Sequence, residues 1–356
     1  MIGEFLIYGA NGFTGELISR ALSETKLQRP PIIAGRNADK VQSLAQKLNI
    51  KARVFGLDDP RAIVAGLADV TVVLNCAGPF GVTAAPLIDA CLEAKAHYLD
   101  INGELDVMEK IRARGAEAVS RGIMLMPGIG FDVVPSDLLA ARVKRRLPTA
   151  NRLSLAVKHD GRIGRGTIAT IFQQLPKGGY VRRNGRLEQV PTAWKVREFP
   201  SGDGYVRAAT FPLGDLTTAY HTTGIPNIDT MVVLPWPMIM AMKASAPCMP
   251  MLAWPLAKDM IAGCVQTLPR GPSAKALAAG RATLWAEAAD EEGRRVLSKV
   301  ETPDGYNVTI ATAVALAEEM TQGKGMATPG FQTVGRMYSP DVLVDWTPGA
   351  KLTDVF

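Results

Sequence analysis

A chain of 356 residues is longer than one compact core usually grows, so two domains are expected, each able to bury a sizeable interior. With 47% hydrophobic and 21% charged residues the composition excludes a disordered chain. The 40 basic and 34 acidic residues are spread along the sequence, so the net charge of +6 suits a phosphate-bearing ligand only weakly and argues against nucleic acid as a partner.

The first part of the chain alternates short apolar runs with helical patterns, as parallel strands joined by crossover helices do. Strands are expected at 5–8, 31–34, 52–55, 70–75, 97–101 and 123–126. Between them Val41, Leu44 and Leu48 share one helical face, as do Leu87 and Cys91, and Pro86 suits a helix's first turn. A doubly wound parallel sheet, an α/β domain over residues 1–148, follows. Beyond Pro148 the pattern turns to alternating strands and hairpins, with Leu153, Leu155 and Val157 on one face and a hairpin turn at Asn184-Gly185. Further strands are expected at 205–211, 217–221, 228–234, 282–288 and 296–301, then a helix at 310–320. Residues 149–321 thus read as a second α+β domain on a mainly antiparallel sheet, and 322–356 as a segment able to fold back onto the first domain.

The first strand runs straight into Gly9-Ala10-Asn11-Gly12-Phe13-Thr14-Gly15 and then a helix. This G-x-x-G-x-x-G turn sits where a dinucleotide fingerprint belongs: glycine permits the tight turn, and the helix N-terminus offers N–H groups and a favourable dipole to a pyrophosphate. After the second strand comes Arg36, where an NAD-preferring fold would place Asp or Glu against the ribose hydroxyls; an arginine suits a 2′-phosphate, which points to NADP(H). Asn75, Cys76, Ala77, Gly78, Pro79 and Phe80 end the fourth strand at the same sheet edge, where small residues let backbone approach the ribose and nicotinamide. Cys76 reads as a small buried residue.

These motifs, together with HYLDINGE, GIGFDVVPSD, RGTIATIFQQL, VRRNGRL, GDLTTAYHTTGIPNID and a late TPG, resemble the saccharopine dehydrogenase-like oxidoreductases, in particular the branch with trans-acting enoyl reductases. The resemblance implies a Rossmann domain followed by a substrate domain, NADP(H), a homodimer, and hydride transfer to a C=N or activated C=C bond. It also puts Phe131, Asp132 and Val133 beside the nicotinamide as pocket lining. Asp137 reads as a helix N-terminal carboxylate.

An amino-dicarboxylate substrate would need arginines, and Arg162, Arg165, Arg182 and Arg183 are the candidates. The Met-, Trp- and Pro-rich stretch 231–265 favours a more apolar substrate; core, dimer interface, acyl-chain lining and peripheral membrane or apolar-partner contact all remain open for it. Lys243, Lys258, Asp259 and the prolines rule it out as a span. The leading reading is an NADPH-dependent reductase of an activated double bond in a fairly apolar molecule, the alternatives an imine or amino-acid dehydrogenase and a non-catalytic NADP-binding sensor. The proton donor is expected to be Tyr220, then His221, read as ending a strand, with Lys177 and Thr223 behind them. No metal site is expected, because His97, His159 and His221 lack ligand spacing. Cys76, Cys91, Cys248 and Cys264 form no Cys-x-x-Cys and no secretory leader is visible, so a cytoplasmic location is expected.

Overall fold

The computed structural model describes residues 3–25, 27–246, 254–321 and 328–356. The chain divides into two compact units. One comprises residues up to Val134 together with Tyr306–Met337, the other Pro135–Gly305 with Tyr338–Phe356.

The first unit is built on a seven-stranded parallel sheet ordered Gly330–Phe331, Met124–Met126, His97–Asp100, Val70–Asn75, Glu4–Tyr8, Ile32–Gly35 and Ala52–Val54. The six expected strands are present with ends shifted by a residue or so. The inner strands are buried along most of their length, Glu4–Tyr8 at every position, as suits a parallel sheet. Leu6, Ile32, Val73, Leu87, Tyr98 and Phe331 belong to one buried cluster. The chain reverses direction across the sheet between Glu4–Tyr8 and its neighbour Val70–Asn75, the switch point where the carboxyl ends of strands open a crevice.

The helix Ala38–Leu48 leaves the second strand through Asn37, whose side chain accepts the Lys40 N–H at 3.0 Å. That cap satisfies one of the orphan donors of the first turn. Asn37→Ala is expected to cost about 1 kcal/mol, read as a fall of a few degrees in the melting temperature.

The second unit carries a nine-stranded sheet. Its order is Val196–Ser201, Gly204–Thr210, Asn227–Val233, Arg152–His159, Arg281–Ala289, Arg295–Pro303 and Lys351–Asp354, with the hairpin of Gly179–Arg183 and Arg186–Val190 joined to Asn227–Val233. All of its pairings are antiparallel except Asn227–Val233 with Arg152–His159. Ala156, Phe199, Ala208, Met231, Trp285 and Leu297 pack together on one face, and the Trp285 indole N–H donates to the Pro200 carbonyl at 2.9 Å.

Two sequence expectations need correction. The division falls at Val134/Pro135 rather than 148/149, because the helix Val134–Arg146 is tied into the second unit: Arg142 pairs with Asp354, and Arg146 donates to Ser298. Conversely the helix Gly305–Thr321, expected in the second domain, joins the first from Tyr306 onward, with the Thr312 hydroxyl on the Ile129 carbonyl at 2.6 Å. Of the 322–356 segment only the part through Met337 returns to the first unit; Lys351–Asp354 adds a strand to the second sheet. The other correction concerns 217–221, which lie within a helix, Asp215–Thr223, and not a strand. Part of the 231–265 stretch, residues 247–253, lies outside the described residues, as does Cys248.

Candidate cofactor and active site

The glycine turn is shaped by its neighbours. Gly9 has φ +80, and a Cβ there would lie 2.7 Å from the Ala77 nitrogen; one at Gly15 would lie 2.4 Å from the Gly9 carbonyl oxygen. Both positions therefore exclude a side chain, one by conformation and one by close backbone approach. The turn is pinned by the Gly9 N–H on the Ala34 carbonyl and the Gly12 N–H on the Gly9 carbonyl, both at 2.9 Å. Gly12 is the N-cap of the helix Phe13–Glu24 and no side chain caps it. A helix start without a cap, behind a loop with no room for side chains, fits a diphosphate.

Arg36 is exposed at the end of the second strand, and no hydrogen bond or ion pair engages its guanidinium among the described residues. The Asn11 side chain lies against Gly35 beside it. Phe13, next in the turn, meets Tyr306 edge-on at 5.2 Å between ring centres.

At the neighbouring strand end Cys76 donates its backbone N–H to the Tyr8 carbonyl at 2.8 Å, so this segment and the glycine turn are held together. Asn75 is fully buried: its Oδ1 accepts the Ala77 N–H at 2.9 Å, and its Nδ2 donates to the Thr83 hydroxyl at 3.1 Å and the Tyr98 hydroxyl at 3.2 Å. Gly78 and Pro79 are joined by a cis peptide, and Phe80 opens the helix Phe80–Ala94. Burial pushes the Cys76 thiol well above its ordinary range, and the Asp100 charge pushes the same way, so it is not a thiolate nucleophile.

The polar network continues along the sheet edge. Tyr98 donates to Asp100 Oδ2 at 2.9 Å, and Asp100 Oδ1 accepts the backbone N–H groups of Asn102 and Gly128 at 2.9 and 2.8 Å. Asn102 Oδ1 accepts the Glu104 N–H at 2.6 Å, and Glu104 Oε1 accepts the Phe80 N–H at 3.3 Å. Burial raises the Asp100 carboxyl to about 6, against the opposing pull of the Gly128 and Asn102 N–H groups and the Tyr98 hydroxyl. This chain of side chains fixes the backbone of the Asn75–Phe80 segment from behind. None of Tyr98, Asp100, Asn102 and Glu104 was singled out as a site residue in the sequence, although their spacing of two marks one strand face continued into a loop.

The segment carrying Phe131, Asp132 and Val133 follows the sixth strand. The Phe131 N–H donates to the Thr309 hydroxyl at 3.0 Å, and the Asp132 side chain packs over Gly103. Phe131 is half-buried and Asp132 exposed, whereas Val133 is buried against Gly128. Val133 is therefore a core residue supporting the loop rather than an open pocket wall. Thr309 and Tyr306, which fasten this loop and the glycine turn, come from a helix that no local motif connects to either.

Tyr220 and His221 lie in the second unit. Both are half-buried on the helix Asp215–Thr223, about 100° apart around its axis rather than on opposite strand faces. The Arg182 guanidinium stacks over the Tyr220 ring at 4.5 Å, and the Tyr220 hydroxyl lies over Gly185 in the hairpin turn. Helix Asp215–Thr223 is held to helix Val134–Arg146 by the Ser136 hydroxyl on Asp215 and by the Thr222 hydroxyl on Asp137 at 2.7 Å. Asp137 thus accepts from a neighbouring helix from within the first turn of its own. The Thr223 hydroxyl is used within its helix, on the Ala219 carbonyl at 2.6 Å.

Of the four candidate arginines, Arg182 is buried and donates to the Leu216 and Gly185 carbonyls, and Arg183 is paired with Asp229. Arg165 donates to the Gln266 carbonyl at 3.2 Å, and Arg162 is exposed. Among the described residues no group of His, Cys, Asp and Glu is placed to hold a metal ion.

Residues 5–126 match the family described as saccharopine dehydrogenase NADP binding domain. Among curated proteins the chain is similar to a human saccharopine dehydrogenase-like oxidoreductase, 29% identical over 151 residues that cover 37% of this chain and 35% of that one. It is also similar to a trans-acting enoyl reductase of Mycobacterium tuberculosis, 30% identical over 149 residues that cover 40% and 36%. The matches span about a third of the length of these relatives. Among solved structures, saccharopine dehydrogenase (L-Glu forming) from Saccharomyces cerevisiae superimposes with a TM-score of 0.66 at 14% identity, covering 99% of this chain and all of that one. A homospermidine synthase from Legionella pneumophila, solved with NAD, gives 0.63 at 8% identity, covering 100% and 92%. At such identities these two speak for the fold alone. Taken with the glycine turn and its uncapped helix, the match over residues 5–126 shows that the first unit carries an NADP-binding domain like that of saccharopine dehydrogenase.

Proposed function

We propose that the protein is an NADPH-dependent reductase that delivers a hydride to an activated, enoyl-type C=C bond of a fairly apolar small molecule. The observation that carries the choice of substrate class is the state of its arginines. Arg182 and Arg183 are consumed by internal carbonyls and Asp229, and Arg165 by Gln266, so three of the four groups that would hold an amino-dicarboxylate are engaged. The likeness to a trans-acting enoyl reductase over 149 residues supports the same reading.

NADPH, when bound, supplies the hydride. The chain's own part begins with the Gly9–Gly15 turn and the first N–H groups of the helix behind it, which hold the diphosphate, while Arg36 holds the 2′-phosphate. Asn75, backed by Tyr98 and Asp100, fixes the strand end that the reacting half of the cofactor must pass. Hydride addition to a conjugated C=C leaves an enolate, which needs a donor at oxygen and a proton at carbon. Tyr220 and His221 remain the proposed proton sources, Tyr220 with its ring held by Arg182. The proposal includes a homodimer in a reducing compartment, in keeping with Cys76 and Cys91 as buried free thiols.

The deciding assay follows NADPH absorbance with three acceptor classes: enoyl thioesters, cyclic imines, and 2-oxo acids with an amine. Turnover is expected with the first. Turnover confined to either of the others would make the protein a C=N dehydrogenase, and NADPH binding without consumption in any of them would make it a sensor.

A further inference from the structure

The second unit presents an apolar helical surface that the proposed reaction does not use. Helix Pro255–Thr267 packs against helix Arg165–Gln174, and a bond from Arg165 to the Gln266 carbonyl joins the first turn of one to the last turn of the other. No side chain described in Arg165–Gln174 is buried, and in Pro255–Thr267 Val265 is the buried one among those described. Trp254 at the N-cap is 62% exposed and Met260 65% exposed; Ile163, Phe172 and Leu268 are exposed as well. Large apolar side chains left this exposed on one packed helix pair of a folded protein suit a surface that something covers.

Charge decides what. Besides Arg182 and Arg183, which are engaged internally, residues 161–187 contain four basic and no acidic side chains, and 231–281 contain five basic and one acidic. Arg162 is exposed beside Ile163, with no ion pair among the described residues. A second copy of the chain seated here about a two-fold axis would set like charges against each other. An anionic surface would be attracted by the exposed cations. Trp and Met among cations is also the composition that enters the headgroup boundary of a bilayer. No helix among the described residues is long and apolar enough to cross a membrane, so a contact would lie in the interface plane.

We propose that the helix pair Arg165–Gln174 and Pro255–Thr267, led by Trp254, docks this protein on an anionic lipid bilayer. The test is flotation of the full chain with vesicles of phosphatidylcholine alone and with added phosphatidylglycerol. Recovery is expected with the anionic vesicles only, and is expected to be lost in high salt. Trp254→Ser combined with Met260→Ser is expected to weaken partitioning by about tenfold or more, and Arg162→Glu by about tenfold. NADPH titration of the same variants is expected to be unchanged, which separates failed docking from failed folding. Absence of flotation with anionic vesicles at low salt overturns the proposal. So does a dimer, seen by light scattering, that the Trp254 and Met260 substitutions dissociate. Unchanged flotation of that double variant with a raised KM for an enoyl substrate would overturn it in favour of an acyl-chain site.

Discussion

Arg36→Ala is expected to lower NADPH affinity by about 10- to 100-fold, the range of one or two charge-assisted hydrogen bonds, while leaving NADH affinity nearly as it was. The physical case rests on position and availability. Arg36 directly follows the strand Ile32–Gly35, where the fold brings the adenosine ribose, and its guanidinium makes no hydrogen bond or ion pair among the described residues. The exposed Asn37 and Ala38 that follow it offer no carboxylate to compete for a 2′-phosphate. Because the site is open to water, the preference is expected to weaken as salt rises. Arg36→Asp is expected to go further and turn the preference toward NADH, since a carboxylate there accepts from the ribose hydroxyls and repels a phosphate. Fluorescence titrations of both nucleotides measure this. Full discrimination against NADH in Arg36→Ala would remove Arg36 from the specificity site.

How far the sequence alone leads can be seen from individual elements. Six of the seven strands of the first sheet are legible because each is a short apolar run closed by Gly, Asn or Asp and followed by a 3.6-residue pattern. The seventh, Gly330–Phe331, is two residues long and exists through pairing with Met124–Met126, some two hundred positions earlier, which no local pattern carries. Thr217–His221 misleads because Thr, Tyr and alternating polarity read as strand. The contrary signals are there: Asp215 in the first turn, and Gly224 as a left-handed C-cap at φ +68. In the cofactor site the glycine turn and Arg36 are legible because their chemistry is local. Tyr306 and Thr309 are not, because they reach the Phe13 and Phe131 loops through a helix placed by the fold. The same holds for the arginines, since a sequence offers four cations while the fold decides that Arg182 and Arg183 are already engaged.

Folding stability is expected to fall by about 3 kcal/mol as pH rises from about 4 to about 6, through Asp100. This carboxyl is fully buried and its pKa is raised to about 6, against an ordinary value near 4. The native state therefore keeps a proton that the unfolded chain releases across that window, so the contribution is complete below the unfolded value and is lost as pH climbs through the folded one. A rise from about 4 to about 6 makes the protonated form preferred by about 3 kcal/mol in the folded state relative to the unfolded one. The opposite case in this protein is Asp354, held down to about 2 by Arg142, which loses its contribution as pH falls below about 4 and so acts in a separate window. In Asp100→Asn the amide carbonyl still accepts the Asn102 and Gly128 N–H groups, but its NH2 group meets a Tyr98 hydroxyl that already accepts from Asn75. The Tyr98 proton then lacks its acceptor, at a cost of about 1–3 kcal/mol. Urea unfolding at roughly pH 4.5, roughly 5.5 and roughly 7, which bracket the titration, is expected to show the falling slope in the native protein and its loss in the variant, where His97, whose charged form burial disfavours, leaves stability rising with pH, the variant being the less stable at the acid end. The backbone consequence runs through Asn75, which loses a settled Tyr98 partner and with it some hold on the Ala77 N–H beside Gly9. NADPH affinity is then expected to drop by a few-fold in Asp100→Asn. An equal pH slope in both proteins would assign the titration to another group and leave the Tyr98–Asp100 pair a purely structural one.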